Sequence, residues 1–325
     1  MATWVERRPA GNTDWAWNGV ASDADGSNLI AAANGARLWT SADFGVTWTE
    51  RRPAGDVNKA WYSVASDADG SNLIAGIYTG RLYTSADFGV TWTERRPAGD
   101  VDKVWQTVAS DADGSHLIAG TMAGRLWVSD DFGVTWTEVR PAGDADKWWY
   151  GVASDADGSN LIAGVYNARL WISANGGATW TEVRPAGDVN LGWWPVGSDD
   201  DGSNLIAAVA AGRLYTSADD GVTWAERQPA GAANKAWRAV ASDADGSNLI
   251  ACFTAGRIWT SADFGVTWTE QLPAGDVNKN WYCLASSATG SNLIAGVSTG
   301  RLYTTDDAYV APTAQIQHLM IIGIG

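Results

Sequence analysis

Tryptophan returns every 44 residues along this chain of 325. One column runs through Trp4, Trp48, Trp92, Trp136, Trp180, Trp224 and Trp268, and a second through Trp17, Trp61, Trp105, Trp149, Trp193, Trp237 and Trp281. A third is always aromatic: Trp39, Tyr83, Trp127, Trp171, Tyr215, Trp259 and Tyr303. Only Trp15, Trp148 and Trp194 fall outside these columns. A fixed period of this length means one small unit copied many times, each copy burying its apolar faces against the next.

Each unit carries four strand signals. In the second copy they are 61–65, 72–78, 81–85 and 90–95, separated by Asp67-Ala-Asp-Gly-Ser, Thr79-Gly80 and Asp87-Phe-Gly89. Short apolar runs broken by Gly and Asp turns predict antiparallel β structure, and no helical periodicity competes. Four strands in about 44 residues is the size of a propeller blade. The expected fold is an all-β, seven-bladed β-propeller spanning 1–308, with 309–325 as a tail outside the repeat.

The third turn reads Ser85-Ala-Asp87-Phe-Gly89-Val-Thr91-Trp92. It resembles the Asp-box, Ser/Thr-x-Asp-x-Gly-x-Thr-Trp, of bacterial sialidases, photosystem II assembly factors and many other repeat propellers. Matching boxes stand at 41–48, 129–136, 217–224 and 261–268; the one at 173–180 has Asn175, and the last, at 305–312, has lost its Gly and Trp. The resemblance implies a propeller and little about function. Asp43, Asp87, Asp131, Asn175, Asp219 and Asp263 are read as turn-forming residues whose side chains accept backbone N–H bonds, not as catalytic groups.

The register predicts how the chain ends meet. Residues 3–8 match the fourth strand of every other unit, while the last unit has only three. The N-terminal strand is therefore expected to complete the last blade and remove a sheet edge. Alternating strand direction puts the Asp-Ala-Asp-Gly turns and Asp-boxes on one face, the bottom. The Pro-Ala-Gly connections and second hairpins lie on the other, the top.

The copies disagree most at the top. The residue after the second Trp reads Asn18, Tyr62, Gln106, Tyr150, Trp194, Arg238 and Tyr282. The residue before it includes Trp148, and the end of the second strand includes Tyr78 and Tyr166. These positions are expected to ring the top mouth of the central channel. Rings beside amides and an arginine suit a carbohydrate or a peptide. The expected function is a non-enzymatic, lectin-like or protein-binding module. A structural or assembly-factor disc is the alternative, and a sialidase-like hydrolase the third reading.

Composition excludes other classes. A net charge of −15 argues against nucleic acid and anionic lipid as partners, and no apolar run is long enough to span a membrane. Asp pairs such as Asp23/Asp25 and Asp67/Asp69 offer too few oxygens for Ca²⁺ and read as turns. His116 and His318 stand apart and support neither a triad nor a metal site, so no metal or cofactor is expected. The column Arg37, Arg81, Arg125, Arg169, Arg213, Arg257, Arg301 faces a Glu column on the next strand and reads as cross-strand ion pairs. Cys252 and Cys283 read as core thiols, with a single disulfide between them as the alternative. No secretory signal is visible before Trp4, which leaves open one removed earlier; the chain is expected to be soluble, its compartment open and a secreted or extracytoplasmic location among the alternatives. A monomer is expected, with an oligomer contact through 313–325 as the alternative to a tail packed on its own propeller.

Overall fold

A computed structural model of the chain describes residues 3–305. The decayed last box, His318 and the 309–325 tail with its proposed contact lie outside the described residues. Twenty-eight strands, β1 to β28 in chain order, are formed within that span, without any helix among the described residues. The first complete group is β2 (Trp15–Ser22), β3 (Leu29–Ala36), β4 (Leu38–Ser41) and β5 (Thr49–Arg51), paired antiparallel in that order. Five more groups repeat it. The last three strands are β26 (Trp281–Ser286), β27 (Leu293–Gly300) and β28 (Leu302–Thr305), and β28 takes β1 (Trp4–Arg7) as its fourth partner, Trp4 opposite Thr305 and Arg7 opposite Leu302.

The core lies between sheets. In every group the second strand is buried on both sides, which is why Leu73-Ile-Ala-Gly-Ile77 reads as an unbroken apolar run. One cluster packs Ile74 and Leu82 of one group against Trp105, Val108 and Leu117 of the next; another joins Trp17 and Leu29 to Cys283, Ile294 and Leu302. The second Trp column fills these seams at 1–2% exposure. Trp105 Nε1 reaches back 3.1 Å to the carbonyl of Gly80 in the preceding group, and Trp17 Nε1 reaches 3.0 Å to that of Gly300. In four copies the third column meets it edge-on, Trp61 and Tyr83 lying 5.4 Å apart at 70°, the arrangement a ring quadrupole favours.

The bottom turns carry a second link. The N–H of Ala24 donates to Ala68 O, Ala68 to Ala112, Ala112 to Ala156, Ala156 to Asp200, Asp200 to Ala244, Ala244 to Ala288, and Ala288 back to Ala24, at 2.8–3.0 Å. The circuit returns to its start.

Two expectations need correction. The outer strand begins at Thr93 rather than Val90, because residues 90–92 belong to the box turn and Trp92 Nε1 bonds back to Gly89 O at 2.9 Å. The Arg column does not pair chiefly with the Glu column. Arg37 stands 3.8 Å from Glu50, but 2.8 Å from Asp56 and 3.0 Å from Gly55 O. Arg81 likewise holds Gly99 O and Asp102. These arginines pin the top connections to the strand edge, while Glu6, Glu50, Glu94, Glu138 and Glu182 each take a nearer Arg such as Arg52, at 2.7 Å; Glu226 and Glu270, which lack one, keep Arg213 and Arg257 at 3.8 and 3.7 Å.

The seams carry the stability. Trp105→Ala is expected to cost about 3–5 kcal/mol in denaturant unfolding. Trp148→Ala, at a ring 45% exposed, is expected to cost under about 1 kcal/mol.

Candidate functional site

The variable columns converge. Asn18, Tyr62, Gln106, Tyr150, Trp194, Arg238 and Tyr282 all line one central cavity of about 160 Å³. A bulge puts them there. In most inner strands the register slips just after the Trp, between Trp61 and Ser63 or Trp105 and Thr107, so two successive side chains face the channel. Ser63, Thr107, Pro195 and Cys283 therefore line it too. That next column also differs between copies, but strand alternation alone points it away from the channel.

Trp148, Tyr78 and Tyr166 form an outer layer on this wall. The end of the second strand bonds through its backbone to the residue before the Trp, Tyr166 N to Trp148 O at 2.9 Å and Tyr78 N to Ala60 O at 2.8 Å. Trp148 stacks on Tyr166 at 6.0 Å and 19°, and Tyr150 meets Tyr166 at 5.1 Å and Trp194 at 4.6 Å. Tyr78 lies 5.1 Å from Tyr62. At the smaller residues of these columns, such as Ala210, Thr254 and Ser298, the aromatic wall has no counterpart.

Polar groups in the channel are poorly served. The hydroxyls of Tyr62 and Tyr282 bond to each other at 2.8 Å; burial, then the neighbouring Tyr62, push the Tyr282 phenol far above its usual range. Gln106 is 4% exposed, yet its Oε1 has no partner; Asn18 Nδ2 and Arg238 Nε are likewise buried and unpartnered. The Arg238 guanidinium lies 4.2 Å over the Trp194 ring and 5.7 Å from that of Tyr282. Among the described residues it is the arginine with neither a hydrogen bond nor an ion pair.

The Asp-boxes sit at the other face, against the Asp-Ala-Asp-Gly turns: Phe88 N bonds Ser71 O at 3.1 Å. Asp87 accepts Thr91 N at 2.7 Å, Thr91 Oγ1 at 2.6 Å and Ser85 Oγ at 2.9 Å, while Gly89 takes a φ of 77°. Asn175 reproduces this, accepting Thr179 N at 2.8 Å and donating to Thr179 Oγ1 at 2.8 Å. Burial raises the Asp87 pKa, but the bonds from Thr91 and Ser85 outweigh it and hold the carboxylate below its ordinary 3.8. The inner turns go the other way: burial is the largest influence on Asp23, Asp67, Asp155, Asp199 and Asp243 and raises each. Asp23 spends its oxygens on Gly26 N, Ser27 Oγ and Asn28 Nδ2.

His116 is not isolated. It stands where the sister turns carry Asn, with Nδ1 at 2.7 Å from Asp111 Oδ2 and 3.0 Å from Ser115 Oγ.

Fold and repeat together define the class: an all-β propeller built from Asp-box units. The BNR-Asp box repeat profile matches residues 126–139 and 258–272. A comparison with curated proteins finds no match in sequence. Among solved structures, YCF48 from Cyanidioschyzon merolae is similar with a TM-score of 0.73 at 17% identity, over 94% of this chain and 99% of that one. A structure of YCF48 bound to D1 peptide gives 0.71 at 16% identity, over 94% and 97%. The GH74 xyloglucanase from Xanthomonas campestris gives 0.69 at 20% identity, over 93% of this chain and 53% of that one. No helix among the described residues is long and apolar enough to cross a membrane.

The box turn makes an acid-sensitive prediction. Asp87→Ala, which strips three accepted bonds, is expected to cost about 1–3 kcal/mol, and Asp87→Asn much less, as Asn175 already fills this turn. The ionised Asp87 stabilises above its unfolded pKa of 3.8, and that contribution is lost as pH falls through the lower folded value. Melting of the wild type and Asp87→Asn should therefore converge below about pH 4.

Proposed function

We propose that residues 1–308 form one closed propeller of seven four-stranded blades whose top channel mouth binds a carbohydrate or a peptide, without catalysis. The observation that carries this reading is Arg238: a guanidinium fixed between two aromatic rings and left without an anionic partner in a chain of net charge −15. Stacking holds it in place at little entropic cost. It is ready for an acidic group on a ligand whose flat face lies along Trp148, Tyr150 and Tyr166. Gln106 Oε1 asks for a donor from the same ligand. A propeller of this fold solved with a bound peptide lends support.

The channel wall carries no carboxylate among its lining residues. That speaks against the paired acid and base or nucleophile of a glycosidase, and no turnover of a fluorogenic sialoside is expected. A structural or assembly disc draws on a different observation. Phe44, Phe88, Phe132 and Phe264 stand 44–47% exposed on the bottom rim, with φ of 57–59°, a costly conformation for a bulky residue.

Glycan and peptide arrays probed with the full chain test the first reading. A ligand selected there is expected to bind at least about tenfold more weakly to Arg238→Ala and Trp194→Ala, with melting unchanged. Binding indifferent to both substitutions would overturn the site, and silence on both arrays would favour the disc.

A further inference from the structure

The turn at residues 111–116 breaks the repeat in a way that the fold does not ask for. Asn28, Asn72, Asn160, Asn204, Asn248 and Asn292 occupy the sister positions of His116. In most copies the Asn amide donates twice, to its own turn Asp and to a carbonyl of the next turn: Asn72 Nδ2 lies 2.6 Å from Asp67 Oδ2 and 3.2 Å from Asp113 O, and Asn160 repeats both contacts with Asp155 and Asp201. His116 keeps only the inner contact. The exchange gives up a link between neighbouring turns.

What it gains is a donor set. One ligand atom each from Asp111, Asp113 and His116 lie within 4.8 Å of one another. Asp111 is 3% exposed, and its Oδ1 has no hydrogen-bond partner. Asp67 and Asp155 share that open oxygen but have no imidazole beside it. The His116 side chain is 40% exposed, which leaves an entry path from solvent. A second departure falls in the same place. Where the other complete boxes have Ala42, Ala86, Ala174, Ala218 and Ala262, this one has Asp130, whose charge acts on His116, as that of Asp113 does.

We propose that Asp111, Asp113 and His116 form a binding site for a divalent transition metal of the Zn²⁺ class, with Asp130 adding negative potential. Two carboxylate oxygens and one imidazole are a usual donor set for such ions, leaving room for water to complete the shell. Ca²⁺, which takes six to eight oxygens, is not served. This site is independent of the channel mouth.

Calorimetric titration of the full chain with ZnCl₂, after chelator treatment and buffer exchange, tests it. One saturable site is expected, with a rise in melting temperature and no response to CaCl₂. His116→Asn restores the residue of the six sister turns, so it should fold; it is expected to weaken Zn²⁺ binding at least tenfold. Asp130→Ala is expected to weaken it a few-fold, more at low salt. Absence of saturable binding overturns the proposal. So does an isotherm unchanged in His116→Asn, or one abolished only by His318→Ala.

Discussion

The circuit of backbone hydrogen bonds through Ala24, Ala68, Ala112, Ala156, Asp200, Ala244 and Ala288 is the constraint on which the other parts depend. Each bond joins one group to the next at 2.8–3.0 Å, and a circuit of this kind has no terminal member left unpaired. It fixes where every inner strand enters the channel. Each turn must therefore present the same N–H and the same carbonyl. The buried Asp that accepts Asn28 Nδ2 at 2.6 Å shapes that turn in one copy, and its counterparts do so in others. The near-identity of the bottom turns is the sequence signature of this shared geometry.

The top is freed by the same arrangement. With the bottom clamped and the Trp column filling each seam, the residue after the Trp makes no contact that the fold needs, so copies can differ there without a change of backbone plan. Arg238, Gln106 and Tyr282 occupy equivalent positions in different groups and do different things. A symmetric scaffold thus yields an asymmetric site with no change of backbone plan. The outer aromatic layer follows from pairing, since the end of the second strand and the residue before the Trp are backbone partners.

Much of this was legible in the sequence. A 44-residue Trp period gives the unit, four turn signals give its strands, and the match of residues 3–8 to the fourth strand gives the β1–β28 pairing. Of the three variable columns, the one after the Trp lines the cavity, while Trp148, Tyr78 and Tyr166 stand in the layer behind it. Three features were not legible, each for a physical reason. The bulge after the Trp depends on cross-strand register, which strand alternation cannot report, so Ser63 and Cys283 were missed. The Arg column bonds loops 18 residues downstream, a distance over which strand pairing gives no guide. His116 looked solitary because its partner Asp111 is itself part of a repeating turn, and a repeated residue draws no notice.

Energetics bear on the proposed reading of the top as a site rather than drift. A buried polar atom without a partner costs about 1–3 kcal/mol, and the described channel wall holds four, on Asn18, Ser63, Gln106 and Arg238. Water in a cavity of about 160 Å³ can meet part of that demand, since ordered water bridges polar groups at modest entropic cost. Water does not neutralise a guanidinium, and stacking on Trp194 satisfies its faces but not its N–H edge. The N–H edge of Arg238 is thus the group in the wall that an acidic ligand, on the proposed reading, would complete best.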